Sequence, residues 1–217
     1  ASHNEIVWNG IKFYFNLPMP ISGKVMESVS ERALTYTKIP IIEDFQVEYI
    51  DANQLNTDYI INLVNKIIDT SVLRNEPIII WPYLGHAPEI QDVFKRVSAN
   101  VYLIEKQMEP PNPTQEIDYD ELTKQFNKTK SKLAILLDSD RDRVVLILYD
   151  PANDEMKTLM PNTLYSAMHN LLVEEYKQEL INVRTIPSDP RCDKNAILTF
   201  LTGVGYKHLG MILYGAL

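Results

Sequence analysis

Apolar residues along the chain fall into two alternating patterns. Short unbroken runs, PIIIW (77–81), NVYLIE (100–105), KLAILL (132–137) and RVVLILY (143–149), are bounded by turn residues and read as strands buried on both faces. Between them, APEIQDVFKRV (87–97) and DYDELTKQFNK (118–128) carry apolar residues at helical spacing. NTLYSAMHNLLVEEYKQEL (162–180) sustains that spacing over about five turns, with Leu164, Met168, Leu171 and Leu172 as its apolar stripe and Asn162 as its N-cap. Nearer the start, IKFYF (11–15) reads as a strand, and GKVMESVSERALTY (23–36) and TDYIINLVNKIIDTSV (57–72) as helices. Strands alternating with helices predict a layered α/β fold. The three prolines of MEPPNPTQE (108–116) require an extended loop inside that α/β unit. The turn residues of DPANDE and MPN, between 150 and 162, mark the boundary before the long helix.

Composition narrows the function. The chain has 217 residues, 45% of them hydrophobic and 23% charged, which suits a globular protein with a sizeable core. A net charge of −8 leaves no basic excess to neutralise the phosphates of nucleic acid or an anionic membrane. It permits a small phosphorylated ligand held by a few placed residues. The single cysteine, Cys192, excludes an internal disulfide and fits a reducing compartment. With no membrane-length apolar stretch and no signal peptide, the expectation is a soluble cytoplasmic protein.

The chemistry concentrates in LAILLDSDRDRVVLILYD. One apolar strand ends, Asp138, Asp140 and Asp142 follow at alternate positions with Arg143 next, and a second apolar strand begins at once. Alternate side chains at a tight bend can converge on one point. Hard carboxylate oxygens so placed suit Mg²⁺, which completes its shell with phosphate oxygens or water. The C-terminal end of a strand is also where open α/β sheets place ligands. The same residues could instead form a charged β-turn whose aspartates cap backbone amides. An EF-hand is excluded, because Arg143 and Tyr149 stand where such a loop needs glycine and glutamate. A second stretch, LTGVGYKHLG (201–210), offers Gly203 and Gly205 for close backbone approach and Lys207 as a cation, a pattern compatible with phosphate. His86 and His169 carry no supporting pattern and read as structural.

Three stretches taken in order resemble the α-D-phosphohexomutase superfamily, which includes phosphoglucomutases and phosphomannomutases. ASHN (1–4) followed by NGIK (9–12) is similar to the family's serine loop. Asp138 through Arg143 resembles its D-x-D-x-D-R metal loop, and Thr202 through Lys207 its T-x-V/T-G-F-K loop. The resemblance implies layered αβα domains with mixed, largely buried β-sheets, and an enzyme that moves a phosphoryl group between positions of a hexose phosphate. Ser2 would carry the phosphoryl group, and a hexose bisphosphate would be the intermediate. Lys12 would move a proton at the sugar hydroxyl, while His3 and Asn4 would shape the serine loop. Asp138, Asp140 and Asp142 would hold Mg²⁺. Arg143, Gly203, Gly205 and Lys207 would bind substrate phosphate, with glucose or mannose 1- or 6-phosphate as substrate.

The chain departs from that pattern at Glu5, where the family has proline, and at Arg141, a large residue in a variable position of the metal loop. No G-E-E-S-G type sugar loop and no fourth-domain phosphate site is present. The resemblance therefore implies an incomplete set of domains: 1–50 as a remnant of the first, 51–155 as the second with the metal loop, and 156–217 as part of the third. Those absences also leave open a homologue without catalysis that binds a sugar phosphate or a protein.

Overall fold

The computed structural model describes residues 23–38 and 46–216, together with Val7, Gly10, Phe13, Tyr14 and Ile21. The strand expected over 11–15 lies mostly outside them. The described residues of 51–178 form one compact unit, and those of 10–50 and 179–216 another.

In the first unit, helix α2 (Ala52–Val64) begins where Asp51 accepts a hydrogen bond from the Gln54 amide, earlier than the apolar spacing places it. Strand β1 (Pro77–Pro82) leads into α3 (Pro88–Arg96), then β2 (Asn100–Leu103) and α4 (Tyr119–Thr129). Strands β3 (Leu133–Leu137), β4 (Val144–Asp150) and β5 (Glu155–Leu159) follow, and α5 (Pro161–Glu174) closes the series. The five strands form one mixed sheet in the order β2-β1-β3-β4-β5. Strand β1 pairs in parallel with β2 and β3, whereas β3–β4 and β4–β5 are antiparallel.

The unbroken apolar run of β1 follows from its central place. Ile79, Trp81 and Tyr83 face a core layer with Leu122 and Phe126 of α4. Ile78 and Ile80 face a second layer with Ile90 and Phe94 of α3. Helices thus cover both faces of the sheet, and no solvent-facing side remains at β1 to call for polar residues.

Three sequence expectations change at the periphery of this sheet. Strand β2 is an edge strand with Tyr102 exposed, so it is not buried on both faces. The turn at 150–155 joins β4 to a strand the apolar pattern does not reveal, because β5 (EMKTL) is an edge strand with only Met156, Thr158 and Leu159 partly buried. Helix α5 stops at Glu174 and is capped by Met160 with Pro161 in its first turn, not by Asn162. Its buried positions are Ser166 and His169, while Met168 and Leu171 are exposed. Leu164 and Leu172 of the apolar stripe are half-buried, so the inward face mixes polar and apolar residues.

The second unit contains α1 (Lys24–Leu34), a parallel pair β6 (Ile181–Thr185) and β7 (Leu198–Thr202), and α6 (Tyr206–Ala216). A 3₁₀ turn, Pro190–Asn195, makes the crossover. The buried Arg184 pins it: its Nε and Nη2 donate to the two carboxylate oxygens of Asp193 at 2.8 and 2.6 Å. Asn182 Nδ2 donates to the same carboxylate at 2.8 Å. Cys192 is fully buried, and its thiol donates to the Asp189 carbonyl, in keeping with a structural thiol.

Candidate metal centre

The strand pairing that brings β3 and β4 together ends at Leu137 and Val144, leaving residues 138–143 to reverse the chain. Asp138 closes that turn. Its Oδ1 accepts from the Arg143 amide at 3.1 Å, and its carbonyl accepts from the Arg141 amide at 3.3 Å. Arg141 sits at φ 61°, in the left-handed region that lets so short a loop turn back.

Asp138 is 1% exposed, yet its Oδ2 has no hydrogen bond. Burial of the carboxyl, with the negative charges of Asp142 and Asp140 beside it, pushes its pKa up to about 6, against the opposing Arg143 amide and guanidinium. Asp140 and Asp142 are exposed, and one carboxylate oxygen from each of the three aspartates lies within 4.8 Å of the others. An octahedral Mg²⁺ with oxygens at about 2.1 Å spaces its ligands roughly 3 Å apart when adjacent and 4.2 Å when opposite. The 4.8 Å limit of the cluster exceeds that span by about 0.6 Å, a difference of the size that side-chain torsions of the exposed Asp140 and Asp142 can close. A buried carboxylate oxygen lacking a hydrogen bond is the atom such an ion would satisfy. On both counts the residues fit the metal. Arg143 Nε lies 3.9 Å from Asp142 and 4.0 Å from Asp138, so the guanidinium borders the carboxylates without displacing an oxygen from the cluster.

The neighbouring loop comes from the next strand of the sheet. After β1, the Tyr83 amide donates to the Leu137 carbonyl at 2.9 Å, carrying the β1–β3 pairing to the edge of the aspartate loop. The chain then turns at Gly85, whose φ is 88° and whose Cβ position would stand 2.9 Å from the Glu105 carbonyl oxygen. Only glycine meets both conditions. The His86 carbonyl accepts from Arg141 Nη2 at 2.7 Å, and Arg141 Nη1 pairs with Glu89 in the first turn of α3. Sequence reasoning passes over Glu89 and treats Arg141 only as an oversized occupant. The available signal is a long cation in a tight acidic loop, where only a partner outside the loop leaves the carboxylates free.

The proline-rich loop lies on the same side of the sheet. The Met108 amide donates to the Tyr83 carbonyl at 3.0 Å, and the Tyr83 hydroxyl donates to the Glu116 carbonyl at 2.7 Å. Beyond it Asp118 caps α4 and pairs with Lys106 at 2.5 Å; that ion pair and the Glu121 amide hold its carboxyl below the usual range. A groove of about 540 Å³ runs between residues 106–109 and 116–120.

In the second unit, Gly203, Gly205 and Lys207 occupy the turn from β7 into α6. Gly205 has φ 124°, a glycine conformation, and its carbonyl accepts from the His208 amide at 3.0 Å. Gly203 and Lys207 are exposed, and Lys207 lies in the first turn of the helix. Thus the structure brings together Asp138, Asp140, Asp142 and Arg143, and separately Gly203, Gly205 and Lys207. Ser2, His3, Asn4 and Lys12 lie outside the described residues.

No family model matches the chain. No curated protein matches it either. Among solved structures it is similar to N-acetylglucosamine-phosphate mutase, a member of the alpha-D-phosphohexomutase superfamily, in its substrate complex. That likeness has a TM-score of 0.46 at 18% identity and covers 70% of this chain and 33% of the other. The chain thus spans about a third of the length of that protein.

Proposed function

We propose that the chain is part of a phosphoserine- and Mg²⁺-dependent mutase that moves a phosphoryl group between positions of a hexose phosphate. One observation carries this reading: three aspartates at the end of a central strand converge within 4.8 Å, and the buried one keeps an oxygen without a hydrogen bond. The serine-loop resemblance at 1–12 and the glycine turn at 203–205 supply the other parts such chemistry needs.

In this reading Ser2 Oγ holds the phosphoryl group in the resting protein. A hydroxyl oxygen of the bound hexose phosphate forms a new P–O bond while the bond from phosphorus to Ser2 Oγ breaks, giving a hexose bisphosphate. The hydroxyl proton passes by way of Lys12, which enters the step as the neutral amine, to the Ser2 Oγ that leaves. The bisphosphate reorients, Ser2 Oγ gives up that proton as it takes back the other phosphate, and the proton passes by way of Lys12 to the sugar oxygen uncovered. Mg²⁺, held by Asp138, Asp140 and Asp142, would neutralise charge on the transferring group. Arg143 donates hydrogen bonds to phosphate beside that cluster, and His3 and Asn4 shape the serine loop. Gly203, Gly205 and Lys207 are the proposed phosphate-binding residues of the second unit. Glucose or mannose 1- and 6-phosphates are the proposed substrates, and the cytoplasm the proposed compartment. Among the described residues, no helix is long and apolar enough to cross a membrane.

The test is phosphoryl uptake. Incubation with glucose 1,6-bisphosphate and Mg²⁺, followed by tryptic peptide mapping, is expected to place one phosphoryl group on the peptide containing Ser2. Uptake should vanish in Ser2→Ala and fall at least a hundredfold in Asp140→Asn, in line with the loss of a transition-state charge partner. Phosphate on another residue, or uptake indifferent to both substitutions, refutes the reading.

A further inference from the structure

We propose that Arg141 is a positioning residue for the metal loop: by gripping the β1–α3 connection it holds the three aspartates in the arrangement that takes Mg²⁺. This inference rests on the metal reading of those aspartates.

The observation is a bridge between two loops. Arg141 lies between two of the candidate ligands, at φ 61°, and its guanidinium leaves the loop entirely. Nη2 donates to the His86 carbonyl at 2.7 Å, and Nη1 forms an ion pair with Glu89 Oε1, a buried atom that accepts no hydrogen bond. Both partners follow β1, the parallel neighbour of β3. The receiving side is itself held: Gln107 Nε2 donates to the Leu84 carbonyl at 3.2 Å, and the Gly85 amide donates to the Pro82 carbonyl at 2.7 Å. Arg141 therefore ties the β3–β4 turn to a connection that is itself hydrogen-bonded to Gln107.

Two physical consequences bear on metal binding. Three carboxylates in one turn repel one another, so an untethered loop would spread them when no cation is bound. The bridge opposes that spreading before the ion arrives, so less ordering remains for binding to bring about. The charge of Arg141 would also weaken cation binding if it turned inward. Paired with Glu89, it is neutralised and points away, leaving the field of the aspartates intact.

Magnesium titration of the whole 217-residue chain by calorimetry tests this. Arg141→Gly removes the side chain while suiting the left-handed backbone, so folding is not put at risk. It should weaken Mg²⁺ binding about tenfold, the low end of what outer partners of metal ligands contribute. The metal-free unfolding midpoint should stay close to the parent's, which separates positioning from general destabilisation. Arg141→Lys, which keeps the charge and loses the fork, should recover part of the affinity. Glu89→Gln should weaken binding by itself and add little to Arg141→Gly, because both break the same bridge. Unchanged affinity in Arg141→Gly overturns the proposal while leaving the metal centre standing. Parent protein without Mg²⁺ binding, or Asp140→Asn binding as the parent does, overturns the metal centre and the bridge's role together.

Discussion

Asp138 combines two properties that oppose each other in the absence of a cation. Its carboxyl is buried, and two further carboxylates stand beside it. Without metal, both favour the neutral acid, and the carboxyl titrates near 6 instead of near 3.8. The sign of the linkage follows. A carboxyl whose pKa is raised on folding binds its proton more tightly in the folded state. Its stabilising contribution is therefore present at low pH and is lost as pH rises from about 4 through about 6. Asp138→Asn removes that loss while keeping an Oδ1 to accept the Arg143 amide. In EDTA, the variant's advantage in unfolding free energy should grow by roughly 2–3 kcal/mol between pH 4 and pH 7 and then level off. Urea titrations at several pH values measure it. A pH-independent difference between the two proteins would mean that Asp138 is not the strained acid described here. The same substitution should abolish the response to Mg²⁺, trading function for stability at one atom.

At the scale of elements, the site is built where two connections leave adjacent parallel strands. The β3–β4 hairpin carries the carboxylates, and the β1–α3 connection carries their external support. The hairpin is legible from the sequence because both flanking strands are apolar runs and the acidic residues alternate between them. The β1–α3 connection is not: LGHAP offers a glycine and a proline, but nothing local says that Gly85 must clear a carbonyl of residue 105. Gly85→Ala tests that approach. The methyl group would meet backbone at 2.9 Å and at φ 88°, so the variant should lose about 2 kcal/mol or more in chemical unfolding. Stability equal to the parent would show that the connection can move aside. A similar limit explains α5. Periodicity alone selects Leu164, Met168, Leu171 and Leu172 as its inward face. The structure buries Ser166 and His169, leaves Leu164 and Leu172 half-buried, and exposes Met168 and Leu171.

At the scale of the molecule, the first unit holds two apolar layers on either side of its sheet, whereas the second rests on two strands and a polar knot around Arg184 and Asp193. A two-stranded sheet alone is marginal in water, so a buried polar network that fixes its crossover has a structural task. Metal binding offers a global readout. An ion that binds only the folded protein stabilises it by about 2.7 kcal/mol at a hundred times its dissociation constant. The unfolding midpoint should therefore rise with MgCl₂ and reverse with EDTA, and it should not respond to matched NaCl. A rise of equal size in Asp138→Asn would assign the effect to ionic strength. The net charge of −8 makes that salt control necessary.

The sequence by itself determined the local facts: which runs form the central strands, that helices alternate with them, and that three aspartates and an arginine fill one short turn. Each is a matter of residue type and spacing over a few positions, which the backbone's limited conformations translate directly into elements. It also placed DSDRDR at the end of a strand, where alternation can converge side chains. Only the tertiary structure decided which strands are edges, hiding β5 and exposing β2, since edge or centre depends on pairing order across distant segments. It alone decided that Asp138 is buried while Asp140 and Asp142 are exposed, a difference set by the strands around the turn. And it alone joined Arg141 to Glu89, more than fifty positions away in the chain, because β1 and β3 pair side by side. A candidate metal centre was legible in its ligands, and its support was legible only in space.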